Sequence, residues 1–184
     1  MAATRVFAER GYERATTNQI ADKAGVSIGS LYQYFPHKAA LAAALELEHL
    51  DVVGAALIEL ARRMRAEQVT LAMWVTRFVR AVLAHNDEPH HATLYGVVPR
   101  MPEVQARVTA LVDALAAELA PLVAGRGATV RARLAIVAAI VLVHELALHS
   151  PRRERAAILR EIEAMIIGYL GPAPRRHRAS SRSG

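Results

Sequence analysis

The chain has 184 residues, enough for one ordinary domain or two small ones with a core that needs neither disulfides nor a structural metal. It contains no cysteine, which excludes thiol nucleophiles, iron–sulfur clusters and thiolate zinc sites. Apolar residues make up 53% of the chain and aromatics only 5%, a balance that suits closely packed helices better than sheets. The net charge is +6, but Arg175, Arg176, Arg178 and Arg182 lie in an acid-free tail. Residues 1–171 carry 19 basic and 17 acidic groups, so the body is near neutral and charge alone identifies no partner.

Residues 1–10 read as a helix stopped by Gly11, with Phe7 aimed into a small core. The pattern opens without a polar cap, so this first helix is expected to be truncated. Thr16 suits an N-cap, and Gln19 three residues later completes a capping box. Ile20 and Ala21 face inward, and Gly25 ends the second helix as a left-handed residue. Ser27 caps a third, short helix from Ile28 toward Phe35, and Pro36 is expected in the first turn of the next one. Two short helices joined by about four residues around glycine carry the helix-turn-helix signature, the third helix being the reading element. Five of the nine aromatics fall in the first 35 residues, as a small separate core requires.

From His37 a long helix runs to near Arg65, followed by one over 67–85. The stretch 86–102 is broken by Pro89, Gly96, Pro99 and Pro102 and reads as a short helix between loops. Residues 104–123 are helical, with Pro121 near the end. Gly125 and Gly127 make a break before two final helices over 128–149 and 152–170. Residues 173–184 read as disordered. The longest apolar run, Leu134–Val143, has ten residues. A bilayer span needs roughly twenty, so the run is a buried helix. The N-terminus lacks the order of a signal peptide, and a cytoplasmic protein with no membrane partner is expected.

A reading helix must present groups to phosphates and base edges. Ser27 and Ser30 offer hydroxyls, Tyr32 and Tyr34 phenols, and Gln33 an amide. Lys38 is expected to reach a phosphate, while Thr16 and Thr17 offer a second phosphate clamp from an opposing helix start. Asn18, Ile28, Gly29, Gln33 and Tyr34 are the candidates for base reading, Ile28 through a thymine methyl.

The stretch Val6–Leu45 closely resembles the TetR family of bacterial transcriptional regulators. The matching features are Phe7, Gly11, Thr16-Thr17, Ile20-Ala21, Ala24-Gly25-Val26-Ser27, Gly29, Leu31-Tyr32, Tyr34-Phe35, Lys38 and Leu41. The resemblance implies an all-α homodimer: an N-terminal helix-turn-helix three-helix head followed by a helical ligand-binding and dimerisation domain. The implied units are residues 1–45, 46–171 and a basic tail, 172–184. It also implies double-stranded operator DNA as partner and a small-molecule effector that releases it. By position, Thr17, Tyr32 and Lys38 resemble the family's phosphate contacts, and Asn18, Ile28, Gly29, Gln33 and Tyr34 its base-facing residues. Tyr34 stands where many members have histidine.

On that resemblance the last two helices form the dimer's four-helix bundle. Leu134, Val137, Val141 and Leu148 are candidates on one, and Ile158, Ile162, Met165, Ile166 and Tyr169 on the other. The effector pocket is expected among Trp74, Phe78, His85, Tyr95, Met101, Leu111 and His144, and with few acids inside it suits an apolar or weakly polar ligand. No cofactor is expected. The stretch from His85 through Asp87, Glu88, His90 and His91 invites a metal reading, but a loose loop fixes no ligand geometry, so none is assigned. His144-Glu145 suggests a buried base, yet no nucleophile or phosphate loop accompanies it, and no enzyme is expected. Non-specific DNA binding through the arginine tail is the remaining alternative.

Overall fold

A computed structural model describes residues 2–86 and 101–171 of the chain. Among the described residues there are eight α-helices and no strand. The helices are α1 (Ala2–Arg10), α2 (Thr17–Ala24), α3 (Ile28–Tyr34), α4 (Lys38–Ala66), α5 (Leu71–Asn86), α6 (Pro102–Leu119), α7 (Ala128–His149) and α8 (Arg152–Leu170), with a 3-10 turn at Ala120–Leu122.

The starts of α2 and α3 and the end of α2 are fixed by caps. Thr16 Oγ1 accepts from the Gln19 amide at 3.3 Å, and Gln19 Oε1 accepts from the Thr16 amide at 3.1 Å, the reciprocal box its sequence predicts. Gly25 closes α2 at φ +71°, and its amide donates back to the last turn. Ser27 Oγ accepts from the Ser30 amide at 3.0 Å and starts α3. Phe7, fully buried, packs with Val6, Tyr12, Ile20, Ala21, Leu31, Leu41 and Ala42 into one small core. The Phe7 and Tyr12 rings lie 5.6 Å apart.

Three boundaries differ from expectation. Pro36 lies outside α4, because Phe35 before it is extended and His37 supplies the cap, its Nδ1 accepting from the Ala40 amide at 3.0 Å. The next helix starts at Leu71 and not 67, since Gln68 sits at φ 52° and Thr70 Oγ1 caps Met73 at 3.3 Å. The helix after it ends at Leu119 and passes into the 3-10 turn, where Pro121 has no amide to continue the ladder. The short helix read within 86–102 falls largely outside the described residues.

The remaining helices enclose a second, larger core around Trp74, Phe78, Leu115, Leu119, Ile136 and Val143. Helix α4 belongs to both: Leu41 and Ala42 lie in the head core, Leu57, Ala61 and Met64 in the body core. Its 29 residues span about 43 Å. α6 runs beside it in the same direction. Arg107 Nε meets Asp51 at 2.6 Å, Leu111 packs on buried Gly54, and Arg65 reaches Glu118 at 3.2 Å, so the contacts climb both helices together. No described helix is long and apolar enough to cross a membrane.

Candidate functional site

Helix α3 buries one residue, Leu31, and turns the rest of its surface outward. Tyr34 is 78% exposed and Tyr32 47%, values that leave both rings accessible to a partner. Gly29, Ser30 and Gln33 are exposed, as are Thr16, Asn18 and Ser27, while Thr17 and Ile28 are half-buried. Ile28 packs against the head core, so at most its edge is offered to a base. Thr17 Oγ1 and Tyr32 OH share a hydrogen bond at 3.0 Å that ties α2 to α3, and Ser27 and Ser30 hydroxyls meet at 2.9 Å. The outward set thus forms one polar surface across the starts of α2 and α3, carried by helices whose caps fix their angle.

Lys38 does not join that surface as expected. Its ammonium donates to the backbone oxygens of Tyr12 at 2.7 Å and Glu13 at 3.1 Å, and it lies 4.4 Å from the Tyr12 ring centroid. The long side chain turns inward because the turn after α1 presents two carbonyl oxygens and an aromatic face within its reach.

Among the described effector candidates, Trp74 and Phe78 come together. Their rings stack at 4.9 Å and border an apolar crevice of about 10 Å³, room for about one water, which Val79, Leu119, Ile136 and Ala139 help to line. The sequence does not single out those neighbours, because nothing in helical periodicity separates crevice from core. The Trp74 indole N–H is buried with no hydrogen-bond partner. Leu111 lies half-buried against α4, Met101 caps α6, and His85 is half-buried near the end of α5. Tyr95 lies outside the described residues. His144 is buried, 1% exposed, and removal from water holds its imidazole below the ordinary value, an effect that nearby Glu145 opposes and His149 reinforces. Among the described residues no three metal-ligating side chains group together.

The dimerisation candidates divide. Leu134, Val137 and Val141 are 40–55% exposed along one face of α7, with Met165 and Tyr169 exposed on α8. Val130, 61% exposed and one turn before Leu134, extends this stripe and was not singled out in the sequence, although its spacing of four carried the signal. Ile162 and Ile166 turn instead into the chain's own core, Ile166 lining the crevice, and Ile158 is half-buried. Leu148 lies on α7, with its side chain outside what is described. Arg131 clasps the end of α8: it donates to Ala124 O at 2.6 Å and to the backbone oxygens of Tyr169 and Gly171. Its guanidinium lies 5.2 Å from the Tyr169 ring, so it also orients that exposed aromatic.

Residues 1–45 match the sequence pattern of the bacterial regulatory proteins, tetR family. The chain is 30% identical over 114 residues to the HTH-type transcriptional activator FasR of Mycolicibacterium smegmatis, a match covering 62% of this chain and 52% of that protein. This chain therefore spans about half the length of that relative. Its fold is similar to a TetR-family regulator from Mesorhizobium loti, with a TM-score of 0.66 and 19% identity over 92% of this chain and 91% of the other. It is likewise similar to FadR of Thermus thermophilus, a repressor solved with lauroyl-CoA, with a TM-score of 0.63 and 22% identity over 94% and 95% of the two chains. The capped head thus carries the sequence pattern of the tetR family of bacterial regulatory proteins, and the described helices share the fold of these solved regulators.

Proposed function

We propose that this chain is a homodimeric transcriptional regulator that binds a near-palindromic operator and is released from it by a small apolar effector. The observation that carries the reading is the orientation of α3: Leu31 alone is buried while Tyr32, Gln33 and Tyr34 stand outward from a doubly capped pair of helices. Such a helix suits the major groove, with Thr17, Tyr32 and the amides of the α2 start on phosphates and Asn18, Gln33 and Tyr34 on base edges. Residues 1–45 act as head and 46–171 as effector and dimer body. The exposed stripe of α7 and α8 supports pairing with a second copy, which places two heads on two half-sites. The match of the head to DNA-binding regulators argues against a catalytic role for His144 and Glu145.

For the effector, the crevice beside Trp74 is lined wholly by apolar surface. An apolar chain suits it, and acyl thioesters such as the lauroyl-CoA seen in the Thermus relative are the first compounds to try. At about 10 Å³ the crevice is far below the roughly 300 Å³ of ordinary ligand sites, so binding requires α5 and α7 to part. Repression is the sign we favour; the activator name of FasR keeps activation as the second reading.

Fluorescence anisotropy on duplexes tiling the upstream region of the chain's own gene, at several salt concentrations, tests the reading. Tight binding to one near-palindromic tile, weakened by lauroyl-CoA, is the expected result. Equal weak binding to every tile and to random DNA would reject the operator reading.

A further inference from the structure

We infer that Gln33 is a specificity-determining residue that selects an adenine in each operator half-site, and that α3 reads no guanine. The inference rests on the operator-binding reading above and names the base that reading leaves open. Three observations carry it. The seven residues of α3 include no charged side chain. Leu31 is the buried residue of the helix, and at about 100° of rotation per residue Gln33 stands about 200° from it, near the middle of the outward face. Among the described residues Gln33 has no hydrogen-bond partner, whereas the Thr17 and Tyr32 hydroxyls bond each other.

The surroundings leave Gln33 room to reach a base. Gly29, one turn earlier on the same face, has no side chain, and only Ser27 Oγ comes within 4 Å of where its Cβ would stand. The Ser30 hydroxyl is turned back onto Ser27 Oγ at 2.9 Å. Helical side chains lean toward the helix N-terminus, so Gln33 leans toward the open space at Gly29. Its carboxamide presents one acceptor and one N–H donor side by side. The major-groove edge of adenine presents the complement, the N6 donor beside the N7 acceptor, and two parallel hydrogen bonds form. Guanine presents two acceptors there and needs two donors, which arginine or lysine supplies and α3 lacks. Lys23, the cation of α2, is paired with Glu9 of α1 at 3.0 Å. Cytosine and thymine each match one half of the carboxamide. Two-fold symmetry places the second adenine on the opposite strand.

The experiment uses the full chain and a random-sequence duplex library, selected in parallel by the wild type, Gln33→Ala, Gln33→Glu and Gln33→Arg. Gln33 is exposed, so all three variants should fold, which circular dichroism checks. The wild type is expected to enrich an adenine at one position of each half-site, and any other base there lowers affinity about tenfold or more. Gln33→Ala should lose the preference at that position and keep the others. Gln33→Glu should move it to cytosine, whose N4 donates to a carboxylate, and Gln33→Arg to guanine. A base other than adenine at the position that Gln33→Ala relaxes overturns the inference, as does a Gln33→Ala selection identical to that of the wild type; both outcomes leave the operator reading standing. If Gln33→Ala enriches nothing, Gln33→Arg decides: a change from adenine to guanine at one position supports the inference, and unchanged adenine at every position overturns it. Enrichment of no sequence by the wild type rejects the operator reading and the inference with it.

Discussion

Gly25 holds φ +71° at the end of α2 with nothing within 4 Å of where a Cβ would stand, so its requirement is one of backbone and not of space. Gly25→Ala should therefore destabilise the head by about 1–2 kcal/mol, the cost of a left-handed non-glycine residue, read from urea midpoints of the full chain. His144 gives a second expectation at this scale. Burial holds its pKa below the ordinary 6.5, so at mildly acid pH the unfolded chain binds a proton that the folded chain refuses. Its contribution is whole above 6.5 and is lost as pH falls from there through the depressed folded value. Thermal midpoints of the wild type should drop over that window, and His144→Leu should flatten the drop; an equally steep fall in the variant assigns the effect to other groups. The caps at Thr16, Ser27 and Gly25 were legible in the sequence, because each is written within four residues of its partner. The inward turn of Lys38 was not, since its partners lie 25 and 26 residues away.

At the scale of elements, α4 and α6 meet through a glycine. A Cβ on Gly54 would lie 3.2 Å from the Leu111 Cδ1 methyl, tight but against the movable end of a side chain. Gly54→Ala should fold with a change of less than about 1.5 kcal/mol, since the flexible tip of Leu111 can yield. Gly54→Val adds volume that Leu111 has no room to accept and should cost about 1–3 kcal/mol in denaturant unfolding. Equal stability in the two variants would mean that the helices separate freely there. Periodicity revealed the helices themselves, including α7 and α8 nearly to the residue. It misplaced the start of α5, because Gln68 takes a left-handed conformation that no glycine announces. Periodicity also fails to say which apolar face meets which neighbour. Leu111, expected near a ligand, packs on α4, while Ile136 and Ala139 border the crevice.

For the whole molecule the decisive surface is the apolar stripe of α7 and α8. Leu134→Glu with Val137→Glu places two charges on side chains that are 55% and 44% exposed in the single chain, so the fold should survive. If the stripe pairs two copies, sedimentation equilibrium of the double variant should show monomer where the wild type is dimeric. Its affinity for the tightest-binding upstream duplex should then fall by about a hundredfold or more, as the linkage of two heads is lost. A variant that stays dimeric would place the interface elsewhere.

The sequence by itself determined the helices, the caps of α2 and α3 and the helix-turn-helix head. Those properties arise from hydrogen bonds and apolar spacing within a turn or two of chain, and so they are written locally. Only the tertiary structure decided which faces remain outside. Ile162 and Ile166 belong to the same apolar helix as Met165 and Tyr169, yet the first two are buried in the chain's own core and the last two are exposed. The difference lies in where α5 and α7 pack around them. It is a long-range matter, because an apolar side chain is buried by whichever distant element covers it, and no residue nearby in sequence specifies that neighbour.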